Sequence, residues 1–298
     1  MGVPGLRAKA ARAYPGFRLV MEAEATGVFE EDGRISGVRY MSGGDAREMR
    51  ARLVIASDGR RPILRDAAAL EVQSLGAPMD VFWFRVPKSR GPANETAGYF
   101  APGRIVVLID RGDYWQCAWV IPKGQADAVR SRGLEVFRAE TALAAPLLAS
   151  EIWALSHWDD VKLLTVALDR LERWHKPGLL VIGDAAHAMS PIAGVGINLA
   201  IQDAVAAANL LAGPIVQGQD VDSLLHKVQA RRSPAVRAIQ RMQQAVQDRI
   251  VNPVLGGDAA LAAPRPLRLL DGVPMLRRIP AALIGFGIRP EHVRSHRA

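Results

Sequence analysis

Two apolar stretches of this chain each end in a carboxylate and a glycine. The first, residues 179–182, leads into Gly183 and Asp184. A loop of small residues follows, in which Gly194 and Gly196 precede an Ala-rich segment that predicts a helix. A strand that ends in a carboxylate, followed by a glycine loop and a helix N-terminus, is a common site for a polar or anionic ligand. Glycine also lets the backbone approach such a ligand closely.

The second stretch lies upstream and has a similar form. Residues 51–56 predict a buried strand, and Asp58 and Gly59 follow it directly. Pro62 then predicts the first turn of a helix over residues 62–70. Arg65 lies in that helix, so a cation accompanies the carboxylate.

The downstream stretch resembles the second FAD-binding motif of the flavin-dependent aromatic hydroxylases, the family that includes para-hydroxybenzoate hydroxylase and the ubiquinone-biosynthesis hydroxylases. That motif consists of Gly-Asp, small residues, His, Pro, G-x-G-x-N, and then a helix that carries Asp. It maps in register onto Gly183, Asp184, Ala185, Ala186, His187, Pro191, Gly194, Gly196, Asn198 and Asp203. The upstream stretch resembles the family's Asp-Gly motif, except that Pro62 stands where Ser is usual.

The resemblance implies FAD as cofactor and NAD(P)H as co-substrate. It assigns cofactor binding to Asp58, Gly59, Arg65, Gly183, Asp184, Pro191, Gly194, Val195, Gly196, Ile197 and Asn198. Asp184 is expected to contact the ribityl chain, and the backbone N–H groups near Gly196 are expected to face the flavin N1–C2=O edge. No side chain is expected to be catalytic, because the flavin carries the redox and oxygen chemistry.

Several of these residues also have simpler interpretations. Asp184 could be a turn or helix-cap carboxylate, Asn198 could be a helix N-cap, and Arg65 could be a surface charge. His187 belongs to the cofactor loop in the family and is not a required acid or base. Asp203 is expected to be structural.

The expected fold class is α/β (α+β), a para-hydroxybenzoate-hydroxylase-like FAD-binding fold. Family members begin with a βαβ unit that carries G-x-G-x-x-G, and no such motif occurs in this sequence. We therefore expect an N-terminally truncated, incomplete FAD-binding domain over residues 1–75 and 169–215. Strand-like runs over residues 81–86, 105–109 and 114–121 predict an antiparallel substrate domain, residues 76–168. Residues 216–298 predict C-terminal helices.

The resemblance implies an FAD-dependent monooxygenase that uses NAD(P)H and O₂ to hydroxylate an aromatic or hydrophobic small molecule. Two alternatives stay open. One is an inactive fragment, or a complementing subunit that needs a partner chain to supply the nucleotide-binding unit. The other is a flavin-dependent reductase or halogenase on the same scaffold. One of the tryptophans Trp83, Trp115 and Trp119 could face an aromatic substrate.

Composition narrows the class of protein. The single cysteine, Cys117, excludes an intrachain disulfide and favours a reducing, cytoplasmic location. The six histidines lack the spacing of zinc ligands, so no metal site is expected. No N-terminal signal peptide is evident, and no segment is expected to be long and apolar enough to span a membrane.

The positive charge is concentrated near the C-terminus. Residues 226–298 hold 13 of the 38 Lys and Arg residues but only 4 of the 30 Asp and Glu residues. A basic region of this kind can be the solvated face of helices or can contact an anionic membrane surface. Nucleic acid binding is not expected, because basic and aromatic residues do not alternate as in RNA-binding sheets.

Overall fold

The computed structural model describes residues 9–89, 96–257 and 287–294. An antiparallel sheet of three strands comes first: β1 (Ala23–Glu31), β2 (Arg34–Ser42) and β3 (Asp45–Arg50). Asp32 and Gly33 form the tight turn between β1 and β2 with φ values of 51° and 76°. Two successive residues of positive φ match the twist of a hairpin, as the Asp-Gly pair predicts.

A second sheet carries both sequence motifs. It consists of β4 (Val54–Ala56), β12 (His175–Lys176) and β13 (Leu179–Val181) in the order β12-β13-β4. β4 and β13 are parallel and in register from Leu179 opposite Val54 to Val181 opposite Ala56. The short helix α1 (Ile63–Ala67) follows β4.

The middle of the chain forms a five-stranded antiparallel sheet in the order β10-β6-β9-β8-β7. Its strands are β6 (Met79–Pro87), β7 (Thr96–Ala101), β8 (Arg104–Asp110), β9 (Tyr114–Pro122) and β10 (Lys162–Leu164). The helices α2 (Ala126–Ser131) and α3 (Leu134–Ala144) belong to the same region. A two-stranded ladder of β5 (Val72–Ser74) and β11 (Asp169–Leu171) lies where the chain enters and leaves this region.

The two faces of the five-stranded sheet pack against different parts of the molecule. One face buries aromatic residues around Phe137 of α3, including Trp115 and Trp119. The other face contributes Val81, Ile105 and Val120 to a separate apolar cluster. Because successive strand residues point to opposite faces, the alternating sequence pattern accounts for both clusters.

Two long helices follow the motif strand β13. They are α4 (Gly196–Val216) and α5 (Asp222–Val246). A π-helical turn, Gln247–Val251, connects α5 directly to α6 (Asn252–Leu255). Val236 and Ile239 of α5 pack with Leu179 and Val181 of β13, so α5 covers one side of the motif sheet.

Several sequence-based expectations about elements are wrong. The mostly apolar run of residues 17–22 predicts a strand, but β1 begins at Ala23. The prolines at 214 and 234 predict a helix end and a helix break, yet α4 contains Pro214 and α5 contains Pro234. Tertiary contacts on both sides of each proline outweigh its low helix propensity.

The prediction that no segment is long and apolar enough to span a membrane is also wrong, by length and composition alone. α4 is long and apolar enough to cross a membrane, and 28% of its most apolar window is buried. Asp203 lies within this helix and is fully buried in an ion pair with Arg232 of α5. That pairing is typical of a helix packed within a folded domain.

Candidate functional site

The parallel pairing of β4 and β13 brings the two sequence motifs to one edge of a sheet. The N–H of Ile182 donates to the carbonyl of Ala56 at 3.0 Å, so the two strands end side by side. Asp58 and Gly59 follow one strand, and Gly183 and Asp184 follow the other. Ligands of open α/β sheets bind at such carboxyl edges of parallel strands.

The Asp58 turn combines one satisfied and one unsatisfied carboxylate oxygen. Oδ2 of Asp58 accepts a hydrogen bond from the N–H of Leu64 at 2.8 Å, which fixes the start of α1. Oδ1 is buried and has no hydrogen-bond partner among the described residues. Gly59 has a φ of 74°, a conformation that favours glycine, and an added Cβ would meet no atom within 4 Å.

The Gly183 turn is more closely packed. Gly183 has a φ of 64°, and an added Cβ would lie 3.1 Å from the Cβ of Ala200 in α4. The close approach of the strand end to the helix therefore requires glycine. The next residue, Asp184, is half-buried and pairs with Nε of Arg60 at 3.2 Å through its Oδ2.

Arg60 joins the two motifs. Its Nη2 also donates to the carbonyl of Met189 at 2.9 Å, in the loop after the Gly183 turn. Its Nη1 is buried without a partner among the described residues. Nη1 of Arg60 and Oδ1 of Asp58 are thus one unsatisfied donor and one unsatisfied acceptor, both buried at the same sheet edge.

A buried charge network supports the Gly183 turn from beneath. The carboxylate of Asp203 accepts hydrogen bonds from the N–H of Gly183 at 3.1 Å, Nε2 of His187 at 2.6 Å and Nε of Arg232 at 2.9 Å. Burial opposes ionisation of Asp203, but the charges and hydrogen bonds of His187 and Arg232 outweigh it and lower the pKa. Asp203 therefore has the structural role expected of it.

The loop before α4 presents both apolar and polar groups. Gly194 has a φ of 63°, Val195 is buried, and Ile197 is 60% exposed. α4 begins at Gly196, so Asn198 lies in the first turn of the helix and is not its N-cap. An added Cβ on Gly196 would lie 3.6 Å from Oδ1 of Asp184, which places that carboxylate beside the helix N-terminus.

Gly59, Gly183, Asp184 and Ile197 border one cavity. It has a volume of about 430 Å³ and is lined by Ser57, Gly59, Ile182, Gly183, Asp184, Ile197, Ala200, Ile201 and Ala204. The cavity has a carboxylate, two glycines of positive φ and an apolar wall from α4. The unpartnered buried atoms of Asp58 and Arg60 lie at the same sheet edge. These polar and apolar groups fit the ribityl chain and the ring edge of a flavin nucleotide.

Arg65 differs from the other predicted cofactor ligands because its contacts are internal. Its Nη1 donates to the carbonyl of Ala185 at 3.2 Å and lies 3.6 Å from Oδ1 of Asp169. Its Nε pairs with Asp66, and the side chain is only 11% exposed. These contacts support the Gly183 turn, and a cofactor contact by Arg65 stays a prediction.

The tryptophans separate as strand alternation requires. Trp115 and Trp119 are buried on the α3 side of the five-stranded sheet. Trp83 is half-buried on the opposite face, where Val107 and Leu164 lie. Ile192 packs against the same apolar cluster, so this sheet face adjoins the loop between the Gly183 turn and α4. This loop is predicted to bind the cofactor and is called the cofactor loop below.

Sequence reasoning missed three residues that organise the site. They are Arg60, Arg232 and Gln243, which contact Asp184, Asp203 and Ser190 respectively. Arg60 directly follows the Asp-Gly pair, so its position was a usable signal. Polar residues at the inward positions of α5 were the signal for the other two.

Comparisons with known proteins agree with this geometry. A family model described as an FAD binding domain matches residues 4–243. The 6-methylpretetramide 4-monooxygenase of Streptomyces rimosus is 32% identical over 288 residues, which cover 95% of this chain and 68% of that protein.

Two solved structures share the fold. The probable FAD-dependent monooxygenase PqsL from Pseudomonas aeruginosa has a TM-score of 0.63 at 23% identity, covering 79% of this chain and 64% of that one. The myxobacterial chondrochloren halogenase CndH has a TM-score of 0.66 at 17% identity, covering 87% and 61%. The chain thus spans about two thirds of the length of these proteins.

Proposed function

This chain belongs to the FAD-binding-domain family of flavin-dependent aromatic hydroxylases, and we propose that it acts in a monooxygenase that uses NAD(P)H and O₂. The observation that carries this proposal is the shared carboxyl edge of β4 and β13. It joins two separate motifs over one cavity. Arg60 and Asp184, which pair across that edge, are 124 positions apart in the sequence.

The residues at this edge have separable tasks in the proposed site. Asp184 and the unpartnered oxygen of Asp58 would accept hydrogen bonds from ribityl hydroxyls. The backbone N–H groups of the first turn of α4, beginning at Gly196, would stabilise negative charge on the flavin ring. Pro191 and Val195 would help to exclude water from the bound flavin. When bound, FAD supplies the redox and oxygen chemistry, so no side chain needs to act as a nucleophile.

The substrate surface is the sheet face next to the cofactor loop. Trp83, Val107 and Leu164 are only partly buried on this face, and Ile192 joins it to the loop. A partly buried apolar surface with an aromatic side chain suits an aromatic or hydrophobic small molecule. The name of the Streptomyces relative gives 6-methylpretetramide as that protein's substrate. For this chain we propose only that the substrate belongs to the class of aromatic or hydrophobic small molecules.

The function is tested by the fate of the oxygen atoms. The enzyme is incubated with NAD(P)H, chloride or bromide, aromatic candidates and isotopically labelled O₂, and products are analysed by mass spectrometry. We expect one labelled oxygen atom in the product and NAD(P)H consumption that depends on added FAD. FAD-dependent NAD(P)H oxidation with a halogenated or saturated product, and without labelled oxygen, would instead favour the halogenase or reductase alternative.

We also propose that the assembly that performs this reaction includes a nucleotide-binding unit besides the described residues. In the described part of the chain, β4 lies at the edge of its sheet, and Ile55 at its centre is 46% exposed. Ile197, at the start of α4, is 60% exposed. An open strand edge near an exposed apolar side chain is suited to a further βαβ unit, supplied by a partner chain or by a longer form of this protein.

Two finer predictions concern location. We propose a cytoplasmic protein that contacts anionic membrane surfaces through its basic C-terminal region. Arg237 and Arg241 are exposed on α5, and the pKa of nearby Arg170 is lowered by partial burial and by these two charges. Residues 264–280 of the basic region, which are apolar and basic, lie outside the described residues.

A further inference from the structure

α5 and the π-helical turn that follows it carry a stripe of buried amide side chains. Gln240, Gln243 and Gln247 are spaced three and four residues apart, so they lie on one face of the helical segment. Their exposed fractions are 0%, 0% and 2%. Burying an amide is costly unless hydrogen bonds replace those that it made to water. The hydrogen bonds that these amides make therefore indicate the role of the stripe.

Gln243 binds the backbone of the cofactor loop through both ends of its amide. Its Oε1 accepts from the N–H of Ser190 at 3.1 Å. Its Nε2 donates to the carbonyl of Ser190 at 2.8 Å and to the carbonyl of Ile192 at 3.1 Å. The side chain thus pairs with Ser190 much as a neighbouring β-strand would, and it satisfies three backbone groups.

Gln240 extends the same clamp by one turn. Its Nε2 donates to the carbonyl of Asp169 at 2.7 Å and to that of Ala188 at 3.4 Å. The clamped backbone, residues 188–192, connects the Gly183 turn to Gly194 and the start of α4. Pro191 removes one backbone donor from this loop, so side chains from α5 provide much of what fixes its conformation.

The same helical segment also reaches the substrate sheet. Beyond Gln243 it continues through the π-helical turn to α6, and Val251 and Val254 pack on the sheet face. The carbonyl of Val254 accepts a hydrogen bond from the N–H of Gly103 at 2.7 Å. One continuous helical segment therefore contacts the cofactor loop at one point and the substrate sheet at another.

We propose that Gln243 is a positioning residue that holds residues 188–192 in the conformation that binds FAD and sets the spacing between this loop and the substrate sheet. The inference rests on the proposed FAD site. Gln243 itself does not contact the cofactor, because its amide is already bonded to the loop backbone. It acts through the loop, which carries Pro191 and leads to Gly194.

The test compares Gln243→Met with Gln243→Glu and uses Gln244→Met as a matched control on the next position of α5. Hydrogen exchange at the Ser190 amide is measured in the FAD-free chain, and the FAD dissociation constant is measured by fluorescence titration. Methionine keeps the length of the side chain but makes none of the three hydrogen bonds. Glutamate keeps an acceptor for Ser190 but loses both donors.

We expect Gln243→Met to speed hydrogen exchange at the Ser190 amide by at least about tenfold. We expect it to raise the FAD dissociation constant by at least about tenfold as well. Gln243→Glu should also speed exchange and weaken FAD binding, because its buried carboxylate faces the carbonyls of Ser190 and Ile192 without a donor for either. If one of the two variants does not fold, the other carries the test. Exchange in Gln244→Met should match the wild type.

Unchanged exchange at Ser190 in both Gln243 variants would overturn the clamp. Faster exchange with unchanged FAD affinity would overturn the positioning role and leave the proposed function intact. If the wild-type chain alone binds no FAD, FAD binding by the isolated chain fails, and the exchange measurement alone then decides whether the clamp exists.

Discussion

At the scale of residues, the site depends on a few buried polar groups that hold turns in place. Asp203 shows this most directly, because one carboxylate satisfies a backbone N–H, an imidazole and a guanidinium. Removing its charge would leave the buried Arg232 with Glu291, 3.9 Å away, as its remaining charged partner among the described residues. The Gly183 turn would lose a support at the same time.

We expect Asp203→Asn to lower the free energy of unfolding near neutral pH by about 3–5 kcal/mol, the range for breaking a buried ion pair. Because the pKa of Asp203 is lowered in the folded state, its contribution is present above the unfolded pKa of about 3.9 and is lost as pH falls through the lower folded value. Urea unfolding at several pH values measures this. Equal acid sensitivity in variant and wild type would contradict it.

At the scale of elements, replacing a glycine by alanine is expected to have opposite effects on stability in the Gly183 turn and in α4. Gly183 has a positive φ and faces Ala200, whereas an added Cβ on Gly213 would meet no atom within 4 Å. Gly183→Ala should destabilise the fold by at least about 1–2 kcal/mol, the cost of the left-handed conformation. Gly213→Ala should stabilise it by about 0.5–1 kcal/mol.

Thermal unfolding of the two alanine variants checks this pair. The expected outcome is a lower midpoint for Gly183→Ala and an equal or higher midpoint for Gly213→Ala. The reverse order would mean that the close approach of the Gly183 turn to α4 does not exist.

Some of these elements could be predicted from the sequence, and others could not. The Gly183 and Asp58 motifs and the hairpin at Asp32 follow local rules of turn chemistry, so their strands could be predicted. Continuation of α5 through Pro234 could not, because it depends on burial of Arg232 and Val236 against other elements. The clamp by Gln243 was missed for the same reason, since Ser190 lies 53 positions away in the sequence.

At the scale of the whole molecule, the open edge of β4 and the exposed face of α4 should make the isolated chain prone to association. Ile55→Lys places a charge on that edge and should reduce association, as measured by sedimentation velocity. Leu143→Lys, at a 74% exposed position on α3, is the control and should change little. Equal association in both variants would locate the contact elsewhere.

The basic C-terminal region gives a second prediction at this scale. Arg237→Glu combined with Arg241→Glu should weaken binding to anionic lipid vesicles, and added salt should weaken wild-type binding. Arg12→Glu with Arg18→Glu changes charge equally in an exposed region outside α5. Equal loss in both double variants would indicate a general effect of net charge without a membrane-binding face.

The central claim is that the carboxyl edge shared by β4 and β13 holds FAD. The most direct measurement is an FAD titration of the purified chain and of Asp184→Ala, with the exposed Asp127→Ala on α2 as control, followed by absorbance after gel filtration. We predict flavin that elutes with the wild type and with Asp127→Ala, and at least about tenfold weaker binding by Asp184→Ala. Unchanged flavin occupancy in Asp184→Ala would contradict the account.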